Sequence, residues 1–369
     1  MSRPNLATRL ARKKIFQRRE WYSLRSMLGF SWAIFLMLLG GREVGKSYSV
    51  TDFFCRQWRK YGRPFYWFRL TEASQKKLLN NNAEKLIDPD LRRKYNLDLF
   101  VLGDGVYEVL EREKLYDSEG NFLRYGKILK KKLMARVLAL STFYNDKGSG
   151  LFDKDFLNDP NMYYNICLDE MNREQNEKKS FDILYAFTNQ LENIVRSTKT
   201  RIRVICIGNT LEEASDILCA FNFLPEEFGR YKLKKKRCVI DYIAPNEAYK
   251  ARRKGTIADI LMPTASTFTN EIKTDTTLVH KGRLTKPSAI IKFARGKENW
   301  FTVWDGKCIA QYNGEKGTTI AMRPYIDELF SAEVRDSMIN MFDTRSFLFK
   351  NLITFKMFQK NLEILKPRK

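Results

Sequence analysis

A glycine-rich segment at residues 40–47 constrains this chain more than any other part of its sequence. The segment reads Gly-Gly-Arg-Glu-Val-Gly-Lys-Ser and matches the pattern GxxxxGKS/T. The run before it, residues 26–41, carries no charge and is typical of a buried parallel strand, while residues 46–60 have a helical pattern. A strand, a tight loop and a helix are therefore predicted in this order, which is the context that gives the pattern its meaning.

The predicted loop has the chemistry to hold phosphate groups. Its glycines let consecutive backbone N–H groups turn toward phosphate oxygens, and the following helix presents its positive end to them. Lys46 is expected to reach the β- and γ-phosphates of ATP, and the Ser47 hydroxyl is expected to bind Mg²⁺. The predicted ATP-binding segment consists of Gly40, Gly41, Arg42, Glu43, Val44, Gly45, Lys46 and Ser47.

A pair of acidic residues follows a second short strand pattern. This strand reads Asn-Ile-Cys-Leu at residues 165–168, and Asp169 and Glu170 come directly after it. An aspartate in this place can hold Mg²⁺, while the adjacent glutamate points in another direction and can polarise an attacking water. Asp169 is therefore predicted to be a metal ligand and Glu170 a catalytic residue.

Two further polar residues complete the predicted site. Asn209 follows the strand pattern at residues 203–207, where it can contact the γ-phosphate or its water; a plain strand-to-loop turn is the alternative. Arg196 follows the helical pattern at residues 181–195, and an arginine supplied to a neighbouring γ-phosphate would stabilise charge in the transition state. The competing candidates for that arginine are Arg173, Arg201 and Arg203.

Strand and helix patterns alternate up to residue 210, which predicts an α/β fold with a mainly parallel sheet. Residues 72–97 look helical, and two apolar runs at 99–102 and 106–110 predict a hairpin. The predicted strands lie at 64–69, 137–141, 165–168 and 203–207. Residues 1–210 are therefore predicted to form an ATPase domain.

The rest of the chain has a different sequence pattern. Residues 211–265 are rich in lysine and arginine and are predicted to be a basic linker or lid. Residues 266–369 are predicted to form a smaller α+β domain, with short strands at 289–293, 300–304 and 308–312 and a helix-rich tail at 331–365.

Charge and cysteine content limit the possible partners and sites. The formal net charge of +23 favours a polyanionic partner, because lysine and arginine gain affinity by releasing phosphate counterions. The six cysteines have no CxxC spacing, and His280 is the single histidine, so neither a zinc site nor a Ser-His-Asp triad is indicated. The uncharged run at 26–41 is shorter than the ~20 residues of a spanning helix, so no membrane partner is expected.

With these residues in place, the chain resembles the DNA-packaging ATPases of small tailed bacteriophages with protein-primed linear genomes, which are related to terminase large subunits. The resemblance covers about half of the chain, residues 30–210, and weakens beyond it. The residues that carry it are the 40–47 segment, Arg69 at the end of the second predicted strand, Asp169-Glu170, Arg196, and the run containing Arg203, Cys206 and Asn209.

This resemblance implies an ASCE-type ATPase fold and a homo-oligomeric ring of five subunits. The ring would act in the host cytoplasm, docked transiently on the portal (connector) of a preformed prohead, and would translocate double-stranded DNA with ATP and Mg²⁺. Arg196 would then act in trans, and Arg69 would contact nucleotide phosphate or the neighbouring interface. A structural RNA on the prohead stays open as a further partner.

The resemblance also bears on residues 266–369. In related large terminases this region is an RNase H-like nuclease with clustered metal-binding carboxylates. The matching strand here, residues 289–295, contains no acid, and the candidate acids that remain, Asp305 and Asp327, are scattered in the sequence. A vestigial nuclease fold without nuclease activity is therefore expected.

Three other classes of protein stay open. The first is a different ATPase acting on nucleic acid, of the helicase or replication type, although no further helicase motifs are found. The second is a nucleic-acid-binding protein with a degenerate glycine loop, which the intact Lys46, Ser47, Asp169 and Glu170 disfavour. The third is a membrane-associated NTPase, which rests on residues 26–41 alone.

Overall fold

A computed structural model gives the fold of the chain. It describes residues 21–142, 163–172, 181–195, 201–209, 215–225, 227–245, 247–261, 278–280, 282–283, 287–292, 300–304, 309–312, 318–321 and 332–365. The chain divides into two compact units, of which the first comprises residues 1–210 and 225–272 and the second residues 211–224 and 273–369.

A nine-stranded mixed sheet forms the centre of the described part of the first unit. Its order is β3-β4-β5-β2-β6-β7-β1-β9-β8, and the six strands from β5 to β9 in this order run parallel. The strands are β1 (Phe35–Leu39), β2 (Phe65–Arg69), β3 (Leu99–Leu102), β4 (Gly105–Tyr116), β5 (Phe122–Ala139), β6 (Tyr163–Asp169), β7 (Arg201–Gly208), β8 (Gly229–Leu233) and β9 (Cys238–Tyr242). The predicted α/β class with a mainly parallel sheet is confirmed.

Helices pack on both faces of this sheet. Side chains of β1, such as Leu36 and Leu38, are fully buried with Phe54 of the helix Lys46–Tyr61. On the opposite face, Phe68 of β2 meets Phe187 of the helix Ile183–Val195, with ring centroids 6.0 Å apart. Buried strands of this kind read as continuous apolar runs, which is why the sequence identified them. The remaining described helices of this unit are Arg25–Leu28, Glu72–Ala83, Pro89–Lys94, Glu247–Arg253 and Ile257–Leu261.

Two predicted elements are interrupted or shorter in the structure. The uncharged run at 26–41 contains a short helix, Arg25–Leu28, and β1 occupies only Phe35–Leu39. The helical pattern at 72–97 is broken by Asn80, Asn81 and Asn82, which leave helical geometry. Asparagine tolerates the left-handed region adopted by Asn81 and Asn82, so the helix ends there and a new one starts at Pro89.

The predicted hairpin is confirmed and is longer than expected. β3 and β4 pair across Gly103 and Asp104, and Gly103 has a φ of 61°, which glycine adopts without strain. β4 then pairs with β5 along almost its whole length, although only Ala135–Ala139 of β5 pairs with β2. The outer halves of β4 and β5 therefore form a two-stranded ribbon beyond the sheet.

Residues 229–242 belong to the sheet, which differs from their prediction as part of a basic linker or lid. β9 pairs in parallel with β1, and β8 pairs with β9 in the antiparallel direction. A buried polar network fixes this edge: Asp241 accepts hydrogen bonds from the Tyr22 hydroxyl at 2.8 Å and from Arg230 at 2.6 Å. Burial, followed by the charge of Asp241, raises the pKa of Tyr22 well above its ordinary value. β8 lies at the edge of the sheet, where basic residues are common. Because its basic residues alternate with other residues, the sequence pattern did not identify it as a strand.

The second unit has its own sheet and its own core. The described sheet has the order β13-β10-β11-β12-β14, with β10 to β12 antiparallel and β13 and β14 joined in parallel. A cluster of phenylalanines, centred on Phe358 and Phe349, packs against it. The strands are β10 (Pro287–Lys292), β11 (Trp300–Trp304), β12 (Ile309–Tyr312), β13 (Thr318–Ala321) and β14 (Leu348–Phe349), and the helices are Asp216–Ala220, Ala332–Asp343 and Leu352–Leu365.

Among the described residues, no helix is long and apolar enough to cross a membrane. The predicted tail at 331–365 is two helices with β14 between them.

Candidate functional site

The predicted site residues meet at one edge of the parallel sheet. β2, β6, β7 and β1 are consecutive neighbours that run in the same direction, so their carboxyl ends share that edge. β1 leads into Gly40, β2 ends at Arg69, β6 ends at Asp169 and β7 leads into Asn209. The carboxyl edge of an open parallel sheet is the usual place for ligand binding in α/β proteins.

The glycine loop, residues 40–47, connects β1 to the helix Lys46–Tyr61. Gly45 has a φ of 86° at the start of this helix, a conformation that other residues adopt only with strain. A Cβ atom there would also lie 3.2 Å from the Trp21 ring. Glu43 adopts a φ of 63° in the same loop. The loop therefore depends on glycine at residue 45 for both its backbone conformation and its packing.

Lys46 is a buried cation within the loop. Its side chain is 5% exposed, and its Nζ donates to the carbonyl oxygens of Gly40 at 2.8 Å and Gly41 at 2.5 Å. Burial lowers the pKa of Lys46 to about 8, with a smaller contribution from Arg42, and the charge of Asp169 opposes this. A lysine held in this way would be stabilised as a cation by an anion bound in the loop.

Two carboxylates and one arginine lie beside Ser47. The Ser47 hydroxyl is 3.4 Å from Oδ1 of Asp169, and Arg69 bonds to Oδ2 of the same carboxylate at 2.7 Å. The other guanidinium nitrogen of Arg69 bonds to Glu170 at 2.5 Å. Glu170 has a φ of 60°, so the chain turns sharply after β6 and its carboxylate leaves the direction taken by Asp169. The single guanidinium group of Arg69 therefore bridges the two carboxylates.

A segment outside the motif holds the loop from its amino-terminal side. The backbone N–H of Tyr22 donates to Val44 at 2.9 Å, and that of Leu24 donates to the Ser49 hydroxyl at 2.8 Å. Arg252, from the helix Glu247–Arg253, stacks on Trp21 at 3.9 Å and donates to the Glu43 carbonyl at 2.9 Å. Sequence analysis missed these contacts, because they join residues far apart in the chain and carry no motif.

A pocket of about 470 Å³ opens beside Ser47 and Asp169. Trp67 of β2 forms part of its wall, and Asn80 and Asn81, where the helix Glu72–Ala83 loses its regular geometry, form another part. The break in that helix therefore shapes a space next to the predicted metal ligands. The sequence does not predict this space, because the pattern at 72–97 reads as continuously helical.

The remaining predicted site residues are Asn209 and the candidate arginines, which lie in different parts of the chain. Asn209 follows β7 at the same edge, and its carbonyl accepts a hydrogen bond from Asn172 at 3.5 Å. Arg196 and Arg173 lie outside the described residues, and the described helix ends at Val195. Arg201 and Arg203 lie at the start of β7, at the opposite edge of the sheet.

The donor set fits a magnesium nucleotide better than a metal held by protein alone. Among the described residues, no group of three or more His, Cys, Asp or Glu side chains could hold a metal ion. Mg²⁺ usually takes only one or two protein ligands and completes its shell with water and phosphate oxygens. Ser47 and Asp169 supply such a pair, next to a loop whose buried lysine lacks an anion among its hydrogen-bond partners.

Comparisons with known proteins show what this fold resembles. One solved structure, the bacteriophage Phi-29 viral genome packaging motor assembly, is similar with a TM-score of 0.58 and 18% identity, covering 94% of this chain and 100% of that one. The Phi-28 gp11 DNA packaging motor gives a TM-score of 0.57 and 15% identity, covering 95% and 99%. No protein-family profile and no curated protein matches the sequence. At these identities the likeness shows a shared fold.

Proposed function

We propose that this protein is the ATPase subunit of a ring-shaped motor that moves double-stranded viral DNA into a preformed prohead. The observation that carries the proposal is the convergence of Lys46, Ser47, Asp169 and Glu170 at the carboxyl edge of the sheet. These residues come from two strand ends that are far apart in sequence. Their meeting is what nucleotide hydrolysis requires, since catalysis of phosphoryl transfer is mainly positioning and charge stabilisation.

Each residue has a role that follows from its position. The backbone of Gly40–Gly45 surrounds the phosphates, and Lys46 neutralises the β- and γ-phosphate charge. Ser47 and Asp169 hold Mg²⁺, which supplies electrostatic stabilisation to the transferred phosphoryl group. Glu170, whose side chain is 47% exposed, orients and polarises the attacking water. Asn209 contacts the γ-phosphate or that water.

Arg69 links the metal ligand to the catalytic acid. Its two guanidinium nitrogens hold Asp169 and Glu170 at once, which fixes the relative orientation of the two carboxylates. Arg69 is therefore a positioning residue in this proposal, besides its expected contact with phosphate or with a neighbouring subunit.

DNA packaging is supported by the fold and by the charge. The fold is shared with two phage packaging motors, and the net charge of +23 suits a phosphate backbone. In the proposed ring, five subunits dock on the portal in the host cytoplasm, and Arg196 acts in trans on the neighbouring nucleotide. A structural RNA of the prohead is a further partner in this scheme.

Residues 266–369 are proposed to be a vestigial RNase H-like domain that docks or binds nucleic acid without cutting it. β10, which the proposal matches to the acid-bearing strand of a nuclease, contains no carboxylate. Asp305 and Asp327 lie outside the described residues. A two-metal nuclease needs a cluster of carboxylates, which these two acids do not form in sequence.

The test measures ATP turnover with and without double-stranded DNA in the wild type, in three site variants and in one control variant. Lys46→Ala and Glu170→Gln should each abolish turnover while the melting temperature stays near that of the wild type. Lys94→Ala is the matched control, because Lys94 is an exposed lysine whose side chain pairs with Asp52 and makes no hydrogen bond to the glycine loop among the described residues, so its turnover should not change.

The third variant, Arg196→Ala, tests the ring. Alone it should be inactive, and mixing it with Glu170→Gln subunits should restore part of the activity, because each partner then supplies what the other lacks. DNA-independent turnover that survives Arg196→Ala would contradict the packaging motor. Normal turnover of Lys46→Ala would contradict the nucleotide site itself.

A further inference from the structure

Three arginines gather around one tyrosine at the amino-terminal edge of the parallel sheet. The guanidinium carbons of Arg203, Arg63 and Arg201 lie 4.4, 5.1 and 5.8 Å from the centre of the Tyr163 ring. Arg201 also donates to the Tyr163 hydroxyl at 3.3 Å. This cluster could not be predicted from the sequence, because its members are far apart in the chain. Arg63 precedes β2, Tyr163 begins β6 and Arg201 begins β7.

Strand register explains why these residues meet. Tyr163 pairs with Arg201, so the first residues of β6 and β7 are level with each other. Phe65, the first residue of β2, is level with Asn165, which places Arg63 two residues before that point. The glycine loop and Asp169 lie at the other end of the same strands. Seven residue steps along β7 separate the two edges by about 23 Å at 3.3 Å per residue. The arginine cluster is therefore separate from the candidate nucleotide site.

Two of the three arginines have no carboxylate partner among the residues that the structure describes. Among these residues, neither Arg201 nor Arg203 forms an ion pair with a carboxylate. Burial, together with the nearby Arg63, lowers the pKa of Arg203, whose guanidinium also stacks on Phe53 at 5.2 Å. Positive groups placed this close repel one another unless an anion joins them. Stacking on Tyr163 and Phe53 offsets only part of that cost.

A buried amide lies beside the cluster on the same face of the sheet. Asn165 is 0% exposed, and neither its Nδ2 nor its Oδ1 has a hydrogen-bond partner among the described residues. Buried polar groups are nearly always paired in native proteins. The basic turn Lys234–Lys236 is exposed and lies just before β9, at the same edge of the sheet.

We propose that Arg63, Arg201 and Arg203 form a phosphate-binding site for a nucleic-acid backbone. Arginine suits this ligand, since its planar fork binds phosphate oxygens in pairs while stacking on an aromatic ring. Tyr163 holds the guanidinium groups in place, and the Lys234–Lys236 turn extends the basic edge along the strand ends. The identity of the partner as double-stranded DNA rests on the proposed packaging function. Contacts of this kind are independent of base sequence.

The experiment measures binding of a fluorescent DNA duplex to the full-length protein at several salt concentrations. Arg201→Ala should weaken binding about tenfold and lower the slope of log K against log salt by about one. Arg201→Glu should weaken it further, and Arg201→Lys should recover part of the loss. Arg201 is exposed, so these variants should fold, and thermal unfolding checks this. Arg93→Ala is the control, since Arg93 is an exposed arginine paired with Asp90, and it should bind like the wild type.

Two further arms separate the possible outcomes. If the binding of a duplex RNA depends on Arg201 in the same way, the phosphate site is supported and RNA is identified as a source of the phosphate groups. Inorganic tripolyphosphate that displaces the duplex at equal phosphate concentration would overturn a backbone site in favour of free phosphates. Unchanged affinity and salt slope in both Arg201→Ala and Arg201→Glu would overturn the proposal.

Turnover distinguishes this proposal from the proposed ATPase function. Arg201→Ala should leave ATP turnover without DNA unchanged and remove its stimulation by DNA. Lys46→Ala should abolish ATP turnover but leave duplex binding unchanged. A wild type that binds duplex through Arg201 but hydrolyses no ATP would contradict the motor while keeping the phosphate site.

Discussion

Arg69 shows how one side chain sets the geometry of a site built from two separate strands. It bonds at the same time to Asp169, at 2.7 Å, and to Glu170, at 2.5 Å, while its own side chain is only 13% exposed. Charge-assisted bonds of this kind are strong in a partly buried setting. Without Arg69, the buried Asp169 would keep Lys46 as a nearby positive charge but would lose its ion pair.

Arg69→Ala should therefore destabilise the protein by about 3 kcal/mol, because removing one partner of a buried ion pair leaves the other uncompensated. Urea unfolding of the nucleotide-free protein measures this change. Arg93→Ala removes an arginine from an exposed pair with Asp90 and should change the free energy of unfolding by less than about 0.5 kcal/mol. Equal effects of the two substitutions would mean that the Arg69 bridge contributes no more than a surface pair.

At the same scale, the sequence predicted which residues lie together at the candidate site better than it predicted their contacts. Lys46, Ser47, Asp169 and Glu170 follow from motif and position, since each is the residue type that the end of a strand or a loop requires. The stacking of Arg252 on Trp21 could not be predicted, because it depends on where β9 places the helix that follows it. The arginine cluster around Tyr163 depends on strand register in the same way.

At the scale of the elements, the glycine loop is constrained by two separate demands at Gly45. Its φ of 86° disfavours any side chain, and a Cβ atom would approach the Trp21 ring to 3.2 Å. Gly120 separates these effects, because it has a similar φ of 82° but no atom lies within 4 Å of the place that a Cβ would occupy. A substitution at Gly120 therefore measures the cost of backbone strain alone, whereas a substitution at Gly45 measures backbone strain and steric contact together.

Gly120→Ala should cost about 1 kcal/mol through backbone strain alone. Gly45→Ala should cost about 1–3 kcal/mol more through the contact with Trp21 and should also weaken ATP binding. Unfolding and binding measurements on both variants test this, together with Gly45→Ala/Trp21→Ala, in which the steric part should be relieved. If Gly45→Ala and Gly120→Ala cost the same, the packing of Trp21 on the loop is loose.

The ends of a strand could be predicted from the sequence where both faces of the strand are buried. They were harder to predict elsewhere. β6 and β7 have continuous apolar centres, and each strand in the structure is longer than predicted by two residues at its start and one at its end. β8 alternates polar and apolar residues at the sheet edge, a pattern that resembles a linker. The asparagines at 80–82 ended a helix whose composition otherwise favoured continuation. Tertiary position, rather than local preference, decided these cases.

At the scale of the whole molecule, the two compact units have separate hydrophobic cores. The core of the first unit surrounds the parallel sheet, with Phe54 and Trp67 among its large buried side chains. That of the second is dominated by phenylalanines around Phe358, which is fully buried and lies 5.1 Å from Phe301 and 5.0 Å from Phe347. Separate cores allow separate unfolding transitions, in which a ligand stabilises only the unit that binds it.

Phe358→Ala should destabilise the second unit by about 3–5 kcal/mol, because it leaves a cavity among aromatic rings. The candidate nucleotide site consists entirely of residues of the first unit, so ATP affinity and the transition that ATP protects should not change. Calorimetry with and without ATP and Mg²⁺ measures both. Phe54→Ala, in the core of the first unit, is the matched substitution and should lower the ATP-protected transition instead. A single transition that shifts equally in both variants would show that the two cores unfold together, and the stability of the second unit would then control the site in the first.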